Sequence, residues 1–179
     1  MNEARMEQTE YGRAPVSEGW FAVNVRDATW VNNEYFGEAC VLESKVVEFD
    51  QIGYTLHVLH PGRPNGLYHR EDDQEDFLVL SGECVAIVEG EERLLRAWDF
   101  LHCPAGTEHI FVGAGDGPCV IFMSGARSHR GSAVYPRSEL AAHHGASAES
   151  DMTASDKPYK PFPQWKPGPP ASFDGLPFA

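Results

Sequence analysis

At 179 residues, 42% of them hydrophobic, the chain is long enough for one domain with its own core and some additional segments. A formal net charge of −13 and a pI of about 4.9 argue against a nucleic-acid partner, which needs clustered Lys and Arg, and against anionic membranes. No apolar run is long enough for a membrane span, residues 1–13 hold no signal-like apolar core, and Cys40, Cys84, Cys103 and Cys119 form no Cys-x2-Cys pair, so the reading is a cytoplasmic chain with reduced thiols.

Residues 1–17 are polar and aperiodic and read as a frayed arm. Trp20 to Val25 reads as a short strand, Asn32-Asn33 as a turn, and Phe36 to Ser44 as a second strand or a loop. Tyr54 to His60 is a clearer strand. Its alternating Tyr54, Leu56 and Val58 should face a core, which sends His57 to the other side, to the surface or between sheets. His60 ends this strand and is a minor candidate for supporting a metal ligand. After the breaker-rich loop Pro61 to Gly66, strands are expected at Asp76–Leu80, Cys84–Val88, Leu94–Ala97, Phe100–Cys103, Ile110–Val112 and Cys119–Met123, with a hairpin turn at Glu89 to Glu92. Short strands broken by regular turns indicate an all-β sandwich or barrel.

Beyond Ala126 the composition changes. Tyr135 to Gly145 reads as a short helix with Ser138 as its cap and Gly145 as its end signal. His143-His144 reads as a helix-end pair rather than a metal site. The segment from Lys157 onward is too rich in Pro for a central strand or a long helix. It also carries Tyr159, Phe162, Trp165, Phe173 and Phe178, so it should lie against the body of the protein or against a neighbouring subunit rather than float in solvent. The expected division is 1–17 as the arm, 18–125 as the β body with N-terminal strands, and 126–179 as the helix and extended tail.

Chemistry concentrates in two islands, His69-x-Glu71-x3-Glu75 and Pro104-Ala-Gly106-x2-His109. In extended chain His69 and Glu71 point to one face, and Glu75 shares their parity. His109, behind a Pro-x-Gly turn, can reach them from a neighbouring strand. Two imidazoles and two carboxylates then converge, a set that suits a divalent first-row ion: Fe, Mn, Ni or Zn. Three of them can form a facial arrangement with open positions, leaving Glu71 as a fourth ligand or as a base beside the metal. Phe77 shares parity with Glu75 and Phe111 with His109, so both are placed on the pocket wall together with Tyr54. Cys84 and Cys103 read as small buried hydrophobes rather than nucleophiles.

These spacings resemble the cupin superfamily. Its first motif runs Gly, five residues, His-x-His, three or four residues, Glu, six residues, Gly; here Gly62, six residues, His69-Arg-Glu71, three residues, Glu75, six residues, Gly82. Its second runs Gly, five residues, Pro-x-Gly, two residues, His, three residues, Asn; here Trp98, five residues, Pro104-Ala-Gly106, two residues, His109, three residues, Gly113. Glu71, Trp98 and Gly113 depart from that pattern. The resemblance covers Tyr54 to Met123. It implies a jelly-roll-like double-stranded β-helix barrel with a metal inside it, and a homodimer. It leaves the reaction open, because the superfamily spans many chemistries. The expected function is a metal-binding cupin with a small-molecule pocket, used as a metal-dependent oxygenase or isomerase. The alternative is a non-catalytic binding or structural module.

Overall fold

The computed structural model describes residues 1–170 and 173–178. Its strands are β1 (Met6–Thr9), β2 (Gly12–Pro15), β3 (Thr29–Asn33), β4 (Gly37–Val41), β5 (Ile52–Leu59), β6 (Glu75–Ser81), β7 (Glu83–Val88), β8 (Glu91–Arg96), β9 (Phe100–Cys103), β10 (His109–Ala114), β11 (Cys119–Ala126), β12 (Val134–Tyr135), β13 (Met152–Thr153) and β14 (Lys166–Pro167), with one short helix, α1 (Glu139–His143). They build a seven-stranded sheet in the order β14-β3-β4-β5-β11-β6-β9 and a three-stranded sheet in the order β10-β7-β8. Neither sheet closes on itself among the described residues.

The two sheets share one core. Leu59, Phe77, Val79, Cys103, Cys119 and Ile121 of the larger sheet pack with Cys84, Ala86 and Phe111 of the smaller. Each strand contributes alternate residues, as the two-residue period of a strand requires. All four cysteines are free and buried, and burial raises the Cys40 and Cys103 thiols to about 12, so they pack as small apolar groups. On the outer face of the large sheet a second core gathers Trp30, Cys40, Leu56, Val58 and Val120. β5 is therefore buried on both faces at its C-terminal end.

Two expectations are corrected. Residues 1–17 are not frayed: β1 and β2 pair as a hairpin from Met6–Pro15 to Thr9–Gly12, and Arg13 N–H donates to the Asp27 carbonyl. The hairpin is held by backbone bonds, which leave no apolar periodicity to read. Trp20 to Val25 is not a strand, because the Asn24 side chain accepts the Arg26 N–H and draws the chain into a turn. Of the two places open to His57, it takes the buried one, at 5% exposure. Its Nε2 bonds the Phe36 carbonyl at 2.7 Å, and burial lowers its pKa to about 4.

The C-terminal segment packs on its own chain. Tyr159 and Phe162 enter a cluster with Phe36, Leu67 and Tyr135, and Phe173 and Phe178 cover Trp30. β14 adds to the edge of the large sheet beside β3. Helix α1 forms as its caps dictate: Ser138 Oγ accepts the Ala141 N–H at 3.2 Å, and Gly145 takes a φ of +68°. His144 turns to Glu92 at 2.7 Å, away from any other imidazole pair. No helix among the described residues is long and apolar enough to cross a membrane.

Candidate metal centre

The segment between β5 and β6 runs along the free edge of β10. Pro61 bridges Gly113, Pro64 bridges Val112, and His69 bridges His109. The last pair is joined by two backbone bonds, His69 N–H to His109 O at 3.1 Å and His109 N–H to His69 O at 2.8 Å. Directly opposed residues of an antiparallel pair project to the same side. The two rings accordingly lie 4.8 Å apart between centroids.

This close pairing also explains one departure from the motif. A Cβ at Gly113 would lie 2.2 Å from the His60 carbonyl oxygen, so no side chain fits where the family pattern has Asn. At the other departure, Trp98 keeps a glycine-like φ of +74° and leaves its ring 75% exposed.

Both imidazoles are held in a defined tautomer. His69 Nδ1 donates to the Leu67 carbonyl at 2.9 Å, and His109 Nδ1 donates to the Thr107 carbonyl at 3.0 Å. Each Nε2 is left with its lone pair facing the cavity, the arrangement that metal-ligating histidines use. Burial keeps both rings neutral: it lowers the His69 pKa, and for His109, which also faces His69, the value falls to about 3.

Glu75, the first residue of β6, completes the cluster. The donor atoms of His69, Glu75 and His109 all lie within 4.8 Å of one another, and Glu75 Oε2 stands 3.4 Å from His109 Nε2. Burial, then the charges of Glu71 and Asp73, raise the Glu75 pKa to about 8. A bound cation would stabilise the ionised form of a carboxyl so placed. Two neutral imidazoles and one carboxylate fit a divalent first-row ion.

Of the four residues expected to converge, the structure gathers three. Glu71 lines the same cavity, but its carboxylate is not in the cluster. The bridged, extended geometry ends at Arg70, and the chain bends at Asp72 and Asp73. The bend is tied from outside: Asp72 N–H donates to Ser132 Oγ, and the Asp73 carboxylate accepts from the His129 backbone N–H at 2.7 Å and contacts its ring Nδ1 at 2.9 Å. Burial, then the Asp73 charge, raise the Glu71 pKa. His60 turns away to Glu38, with both carboxylate oxygens at 3.0 Å.

The cavity measures about 830 Å³. Phe77 forms part of its wall, and Tyr54, 38% exposed, stands at its rim. Phe111 does not line it; it lies in the core with its ring 4.6 Å from that of Phe77. Sequence reasoning missed Thr55 and Met123, which are register partners on β5 and β11, and Asn65. Asn65 Oδ1 accepts the Phe111 N–H at 3.0 Å. It also missed Arg127, whose guanidinium is bidentate to Glu43 at 2.6 Å for each bond. The offset of Arg127 from the β11 pattern gave no hint of a partner 84 residues away.

Residues 55–125 match the Cupin domain family. No curated protein matches the chain. Among solved structures, a sugar phosphate isomerase of the cupin superfamily from Silicibacter pomeroyi is 27% identical, with 51% of this chain and 59% of that one aligned and a TM-score of 0.45. A Cupin 2 conserved barrel domain protein from Salinispora arenicola is 20% identical over 51% of this chain and 76% of its own, TM-score 0.44. A polyketide cyclase from Streptomyces resistomycificus is 15% identical over 55% and 70%, TM-score 0.47. The chain thus spans less than two thirds of the isomerase, and no activity is carried over from any of the three. Residues 55–125 form a cupin domain, and the His69–Glu75–His109 cluster lies within it.

Proposed function

We propose that this protein is a metal-dependent cupin in which His69, Glu75 and His109 hold one divalent ion and the adjoining cavity takes a small, uncharged organic ligand for an oxygenase or isomerase reaction. The observation that carries the reading is the pair of imidazoles with both Nδ1 atoms committed to backbone carbonyls and both Nε2 atoms aimed, with the Glu75 carboxylate, at one point. Three ligands leave positions open, where an Fe or Mn ion would polarise a ligand oxygen or exchange electrons with dioxygen.

The charge balance of the cavity supports an uncharged ligand. Its two arginines are both engaged, Arg127 by Glu43 and Arg130 by Glu48 and the Phe49 carbonyl. Glu71 and Glu75 face inward without a cationic partner among the described residues, and a divalent ion balances them. An anionic group would have to break an existing ion pair to find a cation. Phe77 and Met123 supply apolar wall. Glu71, with no side-chain partner among the described residues, is the group we assign as base.

The proposal takes residues 18–125 as the functional body and 126–179 as a strap across it. It reads the two facing sheets as a jelly-roll-like double-stranded β-helix barrel, in view of the core they share. It also includes a cytoplasmic homodimer: Leu94, Trp98 and Phe100 stand 64%, 75% and 63% exposed around β8 and β9, edge strands that a second copy could cover. A non-catalytic binding module is the second reading, favoured by the fact that every charged group in the cavity except Glu71 and Glu75 is already paired.

Turnover by the Fe- and Mn-loaded protein, measured across phenols, diols, sugars and oxo acids, separates the readings. Oxidation or isomerisation of an uncharged member, lost in Glu71→Gln with metal retained, supports the enzyme. No turnover with any member by fully loaded protein supports the binding module.

A further inference from the structure

The cupin match ends at residue 125, yet a residue far beyond it reaches the metal cluster. Leu67, whose carbonyl holds His69 Nδ1, is fully buried, and its own N–H donates to the Tyr159 hydroxyl oxygen at 3.1 Å. Tyr159 thus braces one side of the residue whose carbonyl holds the ring; the peptide of that carbonyl is also tied by Tyr68 N–H to the Ala146 carbonyl at 2.6 Å. It also acts from a second side. Its ring stands edge-on to Tyr135 at 5.7 Å and 89°, and Tyr135 in turn stacks on the His69 ring at 5.7 Å and 26°. The Tyr159 ring is itself wedged edge-on against Phe36, 5.5 Å away.

The loop makes room for this contact. A Cβ at Gly66 would lie 2.9 Å from the Tyr159 hydroxyl, so the hydroxyl occupies the space that any side chain there would take. Thr107, whose carbonyl holds His109 Nδ1, is itself held by Pro104 of the same loop, through its N–H and its hydroxyl, rather than by any described residue of the tail. Both imidazoles are thus held by a carbonyl two residues back, and the one behind His69 is in addition braced from 90 residues away in sequence.

We propose that Tyr159 is a positioning residue for the ligand His69, so that the C-terminal segment is a working part of the metal centre. This rests on the metal reading above. Partners behind a metal-ligating histidine typically contribute about 10- to 100-fold to metal affinity. Removing the Tyr159 hydroxyl leaves the Leu67 N–H unpaired in a buried place and takes away one of the two bonds that brace Leu67 and its carbonyl, the other being Tyr68 N–H to the Ala146 carbonyl, which loosens the aim of His69 Nε2.

The test uses the full chain as Tyr159→Phe and, separately, Gly66→Ala, which displaces the hydroxyl without altering the tyrosine. Cobalt(II) affinity is read by chelator competition, coordination by the visible d–d bands, folding by the metal-free melting temperature, and ring orientation by imidazole ¹⁵N shifts of the metal-free protein. The expected result is cobalt binding weakened about 10-fold with shifted d–d bands in both variants. In the metal-free protein the His69 ¹⁵N shifts change while those of His109 do not. Wild-type affinity, bands and His69 shifts in Tyr159→Phe overturn the inference, and leave the metal reading standing if His109→Ala loses cobalt. Absence of cobalt binding by the wild type overturns both. Equal changes at His69 and His109 with a collapsed melting temperature also overturn it, because Tyr159 is then only a structural prop.

Discussion

The protonation of Glu75 makes metal affinity a steep function of pH. In the metal-free protein burial holds the Glu75 carboxyl protonated up to about 8, while His69 and His109 are neutral because burial has lowered theirs. A metal must displace the Glu75 proton but no imidazole proton. Between pH 6 and pH 8 the protonation penalty for one group of pKa about 8 changes from roughly 100-fold to 2-fold, so apparent affinity should rise about 50-fold over that interval. The assay is calorimetric titration of Mn(II) or Co(II) into the chelator-stripped protein, in buffers of different ionisation enthalpy that count the released protons. About one proton should leave per metal at pH 6.5, and Glu75→Gln should bind weakly with the slope gone. An affinity flat between pH 6 and pH 8, or one that falls as pH rises, would refute the reasoning.

Folding stability of the metal-free protein follows the same groups with the opposite sign. A carboxyl raised to about 8 stabilises the fold below the unfolded value and loses that contribution as pH climbs, while the lowered histidines act only below 6.5; between pH 6.5 and 8 the metal-free melting temperature should therefore fall, and saturating metal should abolish the fall. Gly82→Ala should cost about 2 kcal/mol or more in denaturant titration, because φ is +72° and the new Cβ would lie 2.4 Å from the Pro118 carbonyl oxygen. Trp98→Gly, at the motif's other glycine position, should leave stability unchanged or raise it by up to about 1 kcal/mol, since the left-handed backbone persists under an exposed ring; a clear loss in a dilution-sensitive melt would show that a second copy buries Trp98. Trp30→Ala removes the fully buried ring under Phe173 and Phe178 and should cost about 3–5 kcal/mol, with metal affinity at pH 8 unaltered because that core lies on the far face of the sheet.

The sequence made the metal cluster legible because its geometry is carried by short-range features. The strand period places Glu75 and Phe77 on one face, the Pro104-Ala-Gly106 turn sets the start of β10, and the two histidines meet as cross-strand partners. What it hid depends on long-range bonds. Glu71 shares parity with His69 on paper, but the bend fastened by Asp73 to His129 and Asp72 to Ser132 removes the parity. Phe111 has the face expected of it, yet Phe77 stands in front of it. The five tail aromatics were enough to say that residues beyond 157 pack, since such a composition has apolar area to bury. They did not show that Tyr159 would stand behind His69 while Phe173 and Phe178 cover Trp30 on the other side. The N-terminal hairpin left little trace, because its mostly polar ladder is held by backbone bonds and by the Thr9 hydroxyl at its turn, not by a periodic apolar face.

The metal content of the protein purified without added metal, measured by elemental mass spectrometry beside His109→Ala, bears most directly on the whole account. A single equivalent of a first-row divalent ion in the wild type, and background in the variant, is the predicted outcome. A wild type that stays empty even after dialysis against Fe(II), Mn(II), Ni(II) and Zn(II), or a variant that retains the full equivalent, would contradict it.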